Sequence, residues 1–169
     1  MRHARPMDEV VLADPENRPS AKAPLLWATS AALPWSVLVV AQVVWWATDP
    51  VTGWPHAVAA VGTVLGIVVF VGVVPVWRYR VHRWAIDARA VYTRTGWLVQ
   101  ERRIAPISRV QTVDTQRGPL DRLFGLASVT VTTASSAGAV RIVALDAPVA
   151  ERIVAQLTDI AALGEQDAT

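Results

Sequence analysis

The sequence predicts a membrane α-helical hairpin followed by a small α+β domain, in which antiparallel strands precede one C-terminal helix. Two stretches, residues 23–48 and 50–77, contain no Asp, Glu, Lys or Arg. Shorter segments that alternate apolar and polar residues come next, and the chain then ends in a segment with helical periodicity. The order is therefore two membrane spans, a sheet and a covering helix.

The first 22 residues predict a disordered tail. They are polar, include Pro6, Pro15 and Pro19, and contain four basic and four acidic residues. Such a segment has too little apolar content to offset the entropy of ordering. It also lacks the short basic start and short apolar core of a cleavable signal peptide.

Residues 23–77 predict the hairpin. Crossing about 30 Å of hydrocarbon takes about 20 apolar residues in a helix, and both uncharged stretches exceed that length. Trp27 and Trp46 lie near the ends of the first stretch, and Trp54 and Trp77 near the ends of the second. Indoles favour the two interfaces of a bilayer, so this spacing indicates spanning helices rather than buried helices of a soluble protein.

Loop charge predicts the orientation. Arg78, Arg80 and Arg83 follow the second stretch, whereas Asp49 is the charged residue between the two stretches. The positive-inside rule therefore predicts a plasma-membrane protein with both termini in the cytoplasm.

Few polar residues lie within the spans, and Gln42, His56 and Thr63 are the candidates for chemistry there. The absence of an intramembrane charge argues against a transport role. Gly62 and Gly66 have the spacing at which membrane helices approach closely. This pair could serve contact between the two helices of the hairpin or dimerisation.

Residues 78–163 predict a cytoplasmic domain, and residues 164–169 a short disordered tail. The segments that favour strands are 84–86, 91–93, 97–104, 129–132 and 140–143. Thr95–Gly96 and residues 135–138 have the composition of turns. Asp146 is the expected N-cap of a helix whose apolar positions include Val149, Ile153 and Leu157, and Gly164 is its expected end.

The run IAPISRVQTV, residues 104–113, resembles the IPLSRIQDV motif of bacterial pleckstrin-homology-like (PH-like) membrane proteins. The run QRGPLDRLFGLASVTV, residues 116–131, is similar to that family's RQGLLQRLFGLGTVRV. The resemblance implies an antiparallel β-sandwich or partly open barrel with one C-terminal helix, held just under the membrane. It implies no activity. The lysine and arginine pattern of phosphoinositide-binding PH domains is not matched, so inositol lipid binding is not expected.

The composition argues against an enzyme. The chain has no cysteine and three histidines, His3, His56 and His82, none of which lies within the strand segments. A zinc site, a serine triad and a glycine-rich phosphate loop therefore have no basis in the sequence. No cofactor, metal or nucleic-acid partner is expected, and 15 of the 16 basic residues are arginine, which we interpret as compositional bias.

The candidate interaction surface is a set of arginines in the domain, namely Arg102, Arg103, Arg109, Arg117 and Arg122. They could face anionic headgroups or an acidic partner, or Arg109 could pair with Asp114 or Asp121. Two functions follow. The first is a non-catalytic, membrane-anchored interaction module whose partner is the bilayer, a second copy or a related PH-like membrane protein. The alternative is an accessory subunit of a transport or export complex.

Overall fold

The computed structural model describes residues 15–49, 53–87, 89–96, 100–134 and 138–166, with side chains through residue 160. Residues 50–52, 97–99 and 135–137, for which the sequence predicts turn or strand structure, lie outside these ranges. So do most of the predicted N-terminal tail, residues 1–14, and residues 167–169.

Two long apolar helices form the hairpin, as predicted. Helix α1 is Ala23–Thr48 and helix α2 is Trp54–Val81, and both are long and apolar enough to cross a membrane. Most of their large side chains are exposed on the isolated chain, which is expected of surfaces that face lipid. Helix α2 continues past Trp77 because Arg78 and Arg80, in its last turn, complement the negative end of the helix dipole.

A π-helical segment, Val68–Val73, interrupts α2 just before Pro75. The ring of a proline clashes with the carbonyl four residues earlier, and proline has no N–H to donate. The wider turn accommodates both effects, because the N–H of Val74 bonds to the carbonyl of Val69, five residues back.

The two helices of the hairpin pack through Gly66. A Cβ atom on Gly66 would overlap the indole of Trp35, whereas a Cβ on Gly62 would meet no atom within 4 Å. Gln42 Nε2 also donates to Thr63 Oγ1 across the helices at 2.6 Å. The sequence leaves open whether the Gly62 and Gly66 pair serves contact within the hairpin or dimerisation. Gly66 serves contact within the hairpin.

The domain contains two three-stranded antiparallel sheets that do not close into a barrel. In the first, β1 (Arg83–Ile86), β2 (Ala90–Thr95) and β3 (Glu101–Pro106) are neighbours in that order. In the second, β4 (Val110–Gln116), β5 (Leu126–Thr133) and β6 (Val140–Asp146) are likewise in order. This arrangement confirms the predicted fold class.

Two helical elements complete the domain. Helix α3, Pro119–Phe124, connects β4 to β5, and helix α4, Ala147–Gln166, packs on β4, β5 and a 3₁₀ turn, Ile107–Arg109. The main core lies between the sheets and α4. Its most deeply buried members include Val91, Val129, Val131, Leu145 and Leu157.

Three details differ from the sequence predictions. Strand β4 has no predicted counterpart, because most of its side chains are exposed and its sequence lacks clear alternation. The prediction of a disordered tail is wrong for residues 15–22, since Asn17 and Ser20 hydrogen-bond to the domain. The predicted end at Gly164 is also wrong. Helix α4 continues to Gln166, since a glycine inside a helix costs only about 1 kcal/mol.

Replacing Leu157 by alanine should destabilise the domain by about 2–5 kcal/mol, because the side chain is 1% exposed in the main core. Thermal or denaturant unfolding of the full chain in detergent micelles measures the effect. Gln156→Ala, on the exposed side of the same helix turn, is the matched control. Equal stability of the two variants would show that α4 does not cover the core.

Candidate interaction surface at the membrane boundary

The domain packs directly on the first turns of α1 and the last turns of α2. A second apolar cluster joins Ala23 and Leu26 of α1 to Leu126 of β5 and Ala144 of β6. Its partly buried margin comprises Trp27, Tyr79, Leu120 and Phe124. We call these eight residues the membrane junction.

The segment before α1 strengthens this junction by bonding to both sheets. Asn17 and Trp84 of β1 exchange two main-chain hydrogen bonds, of 3.0 and 2.9 Å. The N–H of Ser20 donates to the carbonyl of Ala144 at 2.9 Å, and its hydroxyl donates to the Asp146 carboxylate at 2.8 Å. Asp146, the residue before α4, thus bonds to the N-terminal segment.

The Ala144 backbone has a left-handed conformation, with φ of 53°. This conformation costs an L-residue about 1–2 kcal/mol, so packing must hold it in place. It lies opposite the irregularity in the pairing of β5 with β6, where the N–H of Ala144 donates to Ser128 Oγ. The left-handed conformation of Ala144 directs its carbonyl toward the N–H of Ser20. The strained backbone is therefore located where the domain meets the segment before α1.

Aromatic and cationic side chains surround the C-terminal end of α2. The Arg78 guanidinium lies 4.3 Å from the centroid of the Trp27 ring, and the His82 ring lies 5.4 Å from it. His82 Nδ1 is 2.9 Å from the carbonyl oxygen of Arg78. Burial, and then the positive charge of Arg78, lower the pKa of His82 below its ordinary value.

Three arginines lie side by side across the first sheet. Arg83 of β1 is directly opposite Arg94 of β2, and Arg94 is directly opposite Arg102 of β3. Neighbours in register share a sheet face, and the buried Val91 and Thr93 belong to the other face. We call Arg83, Arg94 and Arg102 the arginine row; each also has further contacts within the protein.

The next row on the same face contains Tyr92 and Ile104, which are directly opposite one another. Tyr92 is half-buried and Ile104 is exposed. Like charges directly opposite one another in a sheet repel, so an anionic group above the row would be attracted in addition to the contacts that these arginines already make. This arrangement can hold an acidic surface, with Tyr92 and Ile104 as apolar contacts.

The five predicted arginines do not form one cluster. Arg102 belongs to the arginine row, whereas Arg103 pairs with Glu101 at 2.6 Å and donates to the carbonyl of Ala139. Arg109 is exposed at the end of the 3₁₀ turn, and no ion pair with Asp114 or Asp121 is present among the described residues.

Arg117 and Arg122 lie at α3, beside the membrane junction. Both side chains are exposed, although Arg117 Nε donates to the carbonyl of Leu126 at 3.3 Å. The residues missed by sequence reasoning are Arg83 and Arg94. In the sequence, Arg83 is sufficiently explained as one of the positive charges that set the orientation of the hairpin. It lies next to Arg94 only because of the strand register, which the sequence does not give.

A separate polar cluster lies at the opposite end of the hairpin. His56 stacks on Trp45 with ring centroids 4.0 Å apart, and its Nε2 is 3.7 Å from the Asp49 carboxylate. A cavity of about 390 Å³ between the helices is lined by His56 and Gln42 together with mostly apolar side chains.

Two sheets and a C-terminal helix, joined to two membrane helices, define the class of membrane-anchored PH-like proteins. The family model for "Bacterial PH domain" matches residues 20–161, so the chain belongs to this family, and the match includes both helices of the hairpin. The UPF0699 transmembrane protein YdbS of Bacillus subtilis (strain 168) is 35% identical over 122 residues, which cover 68% of this chain and 72% of that relative. No solved structure matches the chain.

Acid should weaken the membrane junction. Because the pKa of His82 is lowered on folding, the unfolded chain binds the proton more tightly, and stability falls as pH drops below about 6.5. The positive charge of Arg78 opposes protonation of His82, and Arg83 and Arg141 lie beside the same small pocket. Thermal unfolding in micelles at pH 7.5 and 5.5 measures this loss.

His82→Asn removes the titrating ring and should flatten the pH dependence, whereas His3→Asn should leave it unchanged. An unaltered pH profile in the His82→Asn variant would show that His82 does not cause the loss of stability in acid.

Proposed function

We propose that this protein is a non-catalytic interaction module of the plasma membrane, with both termini in the cytoplasm. The observation that carries the proposal is the membrane junction. Its apolar contacts hold the PH-like domain against α1 and α2, so that the arginine row is presented in one orientation beside the bilayer.

The cytoplasmic orientation is supported by the positions of the positive charges. Arg78 and Arg80 lie in the last turn of α2, and Arg83 begins β1, whereas Asp49 follows α1 at the other end of the hairpin. Arginines beside a span are retained on the cytoplasmic side. The domain then lies on the cytoplasmic side of the membrane, where it can meet the corresponding domain of a membrane-protein partner.

A phosphatase that is active only outside the cytoplasm, fused after Thr169, should give no activity, whereas green fluorescent protein at the same position should fluoresce. The reason is the positive-inside rule applied to Arg78, Arg80 and Arg83. Active phosphatase combined with dark fluorescent protein would reverse the topology and with it the proposed partner compartment.

The partner that best fits the arginine row is a protein with an acidic surface, either a second copy or a related PH-like membrane protein. The composition of the face supports a protein, because arginine and tyrosine are enriched at protein interfaces and Ile104 adds apolar area. Lipid headgroups alone would leave the exposed Ile104 without a role, whereas Tyr92 already hydrogen-bonds to Asp87 within the domain.

The second candidate function is that of an accessory subunit in a transport or export complex. The cavity near His56 and Gln42 favours it, because a largely apolar cavity with two polar side chains between membrane helices could hold a substrate or a further helix. The two candidates use opposite ends of the molecule and can be separated by experiment.

Reversing the charge at the centre of the arginine row should abolish partner binding. The variant Arg94→Glu places a carboxylate between Arg83 and Arg102, which relieves same-sign repulsion, so the chain should fold, yet it should repel an acidic partner. Loss of one charged contact at an interface costs about 2–5 kcal/mol, and each 1.4 kcal/mol is about a tenfold change in affinity. The measurement is quantitative co-purification of the full chain after mild detergent extraction.

Arg109→Glu, an exposed charge reversal outside the row, is the matched control and should retain the partner. Equal recovery with both variants would exclude the arginine row. Recovery of transporter subunits that depends on His56 and not on Arg94 would establish the second candidate instead.

A further inference from the structure

Helix α3 exposes an apolar side chain beside the membrane junction. Among the large hydrophobic side chains described after α2, Ile104 and Leu123 are the two that are exposed, and Leu123 is 75% exposed. Ile104 belongs to the face of the arginine row. The exposure of Leu123 has no such account within the domain.

The contacts of α3 place it next to the first turn of α1. Leu120 and Phe124, on the inner side of α3, pack in the membrane junction with Leu26. Lys22 Nζ, immediately before α1, donates to the carbonyl of Phe124 at 3.3 Å. Leu123 lies on the flank of α3 beside this inner side, and its exposed side chain is therefore at the level of Lys22 and Leu26.

The length of α1 places that level at the headgroup layer. A helix of 26 residues is about 39 Å long, whereas the hydrocarbon core is about 30 Å thick. If Trp46 marks the far interface, about 20 residues bring the chain to Trp27 at the near interface. The first turn of α1, and α3 beside it, then lie among the headgroups.

The charges around Leu123 suit an anionic lipid surface. Arg122 and Arg117 are exposed, and Lys22 adds a third positive charge. The one nearby carboxylate on α3, that of Asp121, accepts a hydrogen bond from the N–H of Gly118 at 2.8 Å. A leucine flanked by basic side chains is the composition of an interfacial anchor.

We propose that α3 is a second membrane contact of this protein, in which Leu123 enters the boundary between headgroups and acyl chains while Arg117 and Arg122 contact lipid phosphates. On the first turn of α1, Leu25 is likewise exposed beside the buried Leu26. A single leucine is too small for a protein interface, which buries about 800 Å² on each partner. Bilayer lipid is therefore the occupant.

This contact gives a physical role to two of the arginines predicted from the sequence, and it differs from the arginine row. The orientation of the domain would then depend on two membrane attachments. The first is the hairpin of α1 and α2, and the second is α3. Substitutions at Leu123 should not destabilise the core, because the side chain is exposed.

The chain has no cysteine, so single labels can be placed without background. Leu123→Cys in the full chain, labelled with an environment-sensitive fluorophore and reconstituted as single copies in nanodiscs, reports depth. Phosphatidylcholine carrying a nitroxide on its headgroup should quench this label at least about twofold more than the same label on Gln156→Cys, which is exposed on α4.

Charge reversal at Arg117 and Arg122 tests whether their contact with lipid phosphates helps to hold Leu123 in the bilayer. In nanodiscs containing phosphatidylglycerol, Arg117→Glu combined with Arg122→Glu should reduce the quenching of the Leu123→Cys label, although it should stay above the Gln156→Cys level because the membrane junction still holds α3 near the bilayer. Equal quenching of the two labels before any charge reversal would overturn the proposal. So would protection of the Leu123→Cys label only in discs that hold two copies, since the occupant would then be protein.

Discussion

The packing of the domain on the membrane helices is the interaction on which the rest of this structure depends. Leu26 packs with Leu126 and Ala144, and Ser20 bonds to the carboxylate of Asp146 just before α4. These contacts connect α1 to β5 and β6, two neighbouring strands of the second sheet. The domain and the hairpin therefore share apolar surface, and neither part completes its burial alone.

The connection from α2 to the sheet reinforces this constraint. Helix α2 ends at Val81 and β1 begins at Arg83, so His82 is the whole linker. A one-residue linker allows little independent rotation, and the His82 ring is also packed beside Trp27 and Arg78. The proposed binding face and the proposed lipid contact of α3 both acquire their orientation relative to the bilayer from this short connection. The family match from residue 20 to residue 161 agrees with a single unit that includes the hairpin.

Predictability from the sequence followed the strength of the local pattern. The membrane helices and α4 were predictable because long uncharged runs and helical spacing are strong signals. Strand β4 was not, because an exposed edge strand such as Val110–Gln116 has little apolar alternation. The same limit applies to the site. Arg102 was identified as a candidate, but its neighbours Arg83 and Arg94 are brought together only by strand register, and the role of residues 17–20 depends on contacts with residues far away in the sequence.

The central claim is that the domain is fixed on the helices rather than tethered. It is tested most directly by the distance between spin labels on Leu33→Cys in α1 and Gln156→Cys in α4, measured by double electron–electron resonance in nanodiscs. Both positions are exposed, so the labels should not disturb packing. A fixed domain predicts a single narrow distance distribution that broadens when Leu26→Asp disrupts the membrane junction. A broad distribution in the native chain, unchanged by that substitution, would contradict the account.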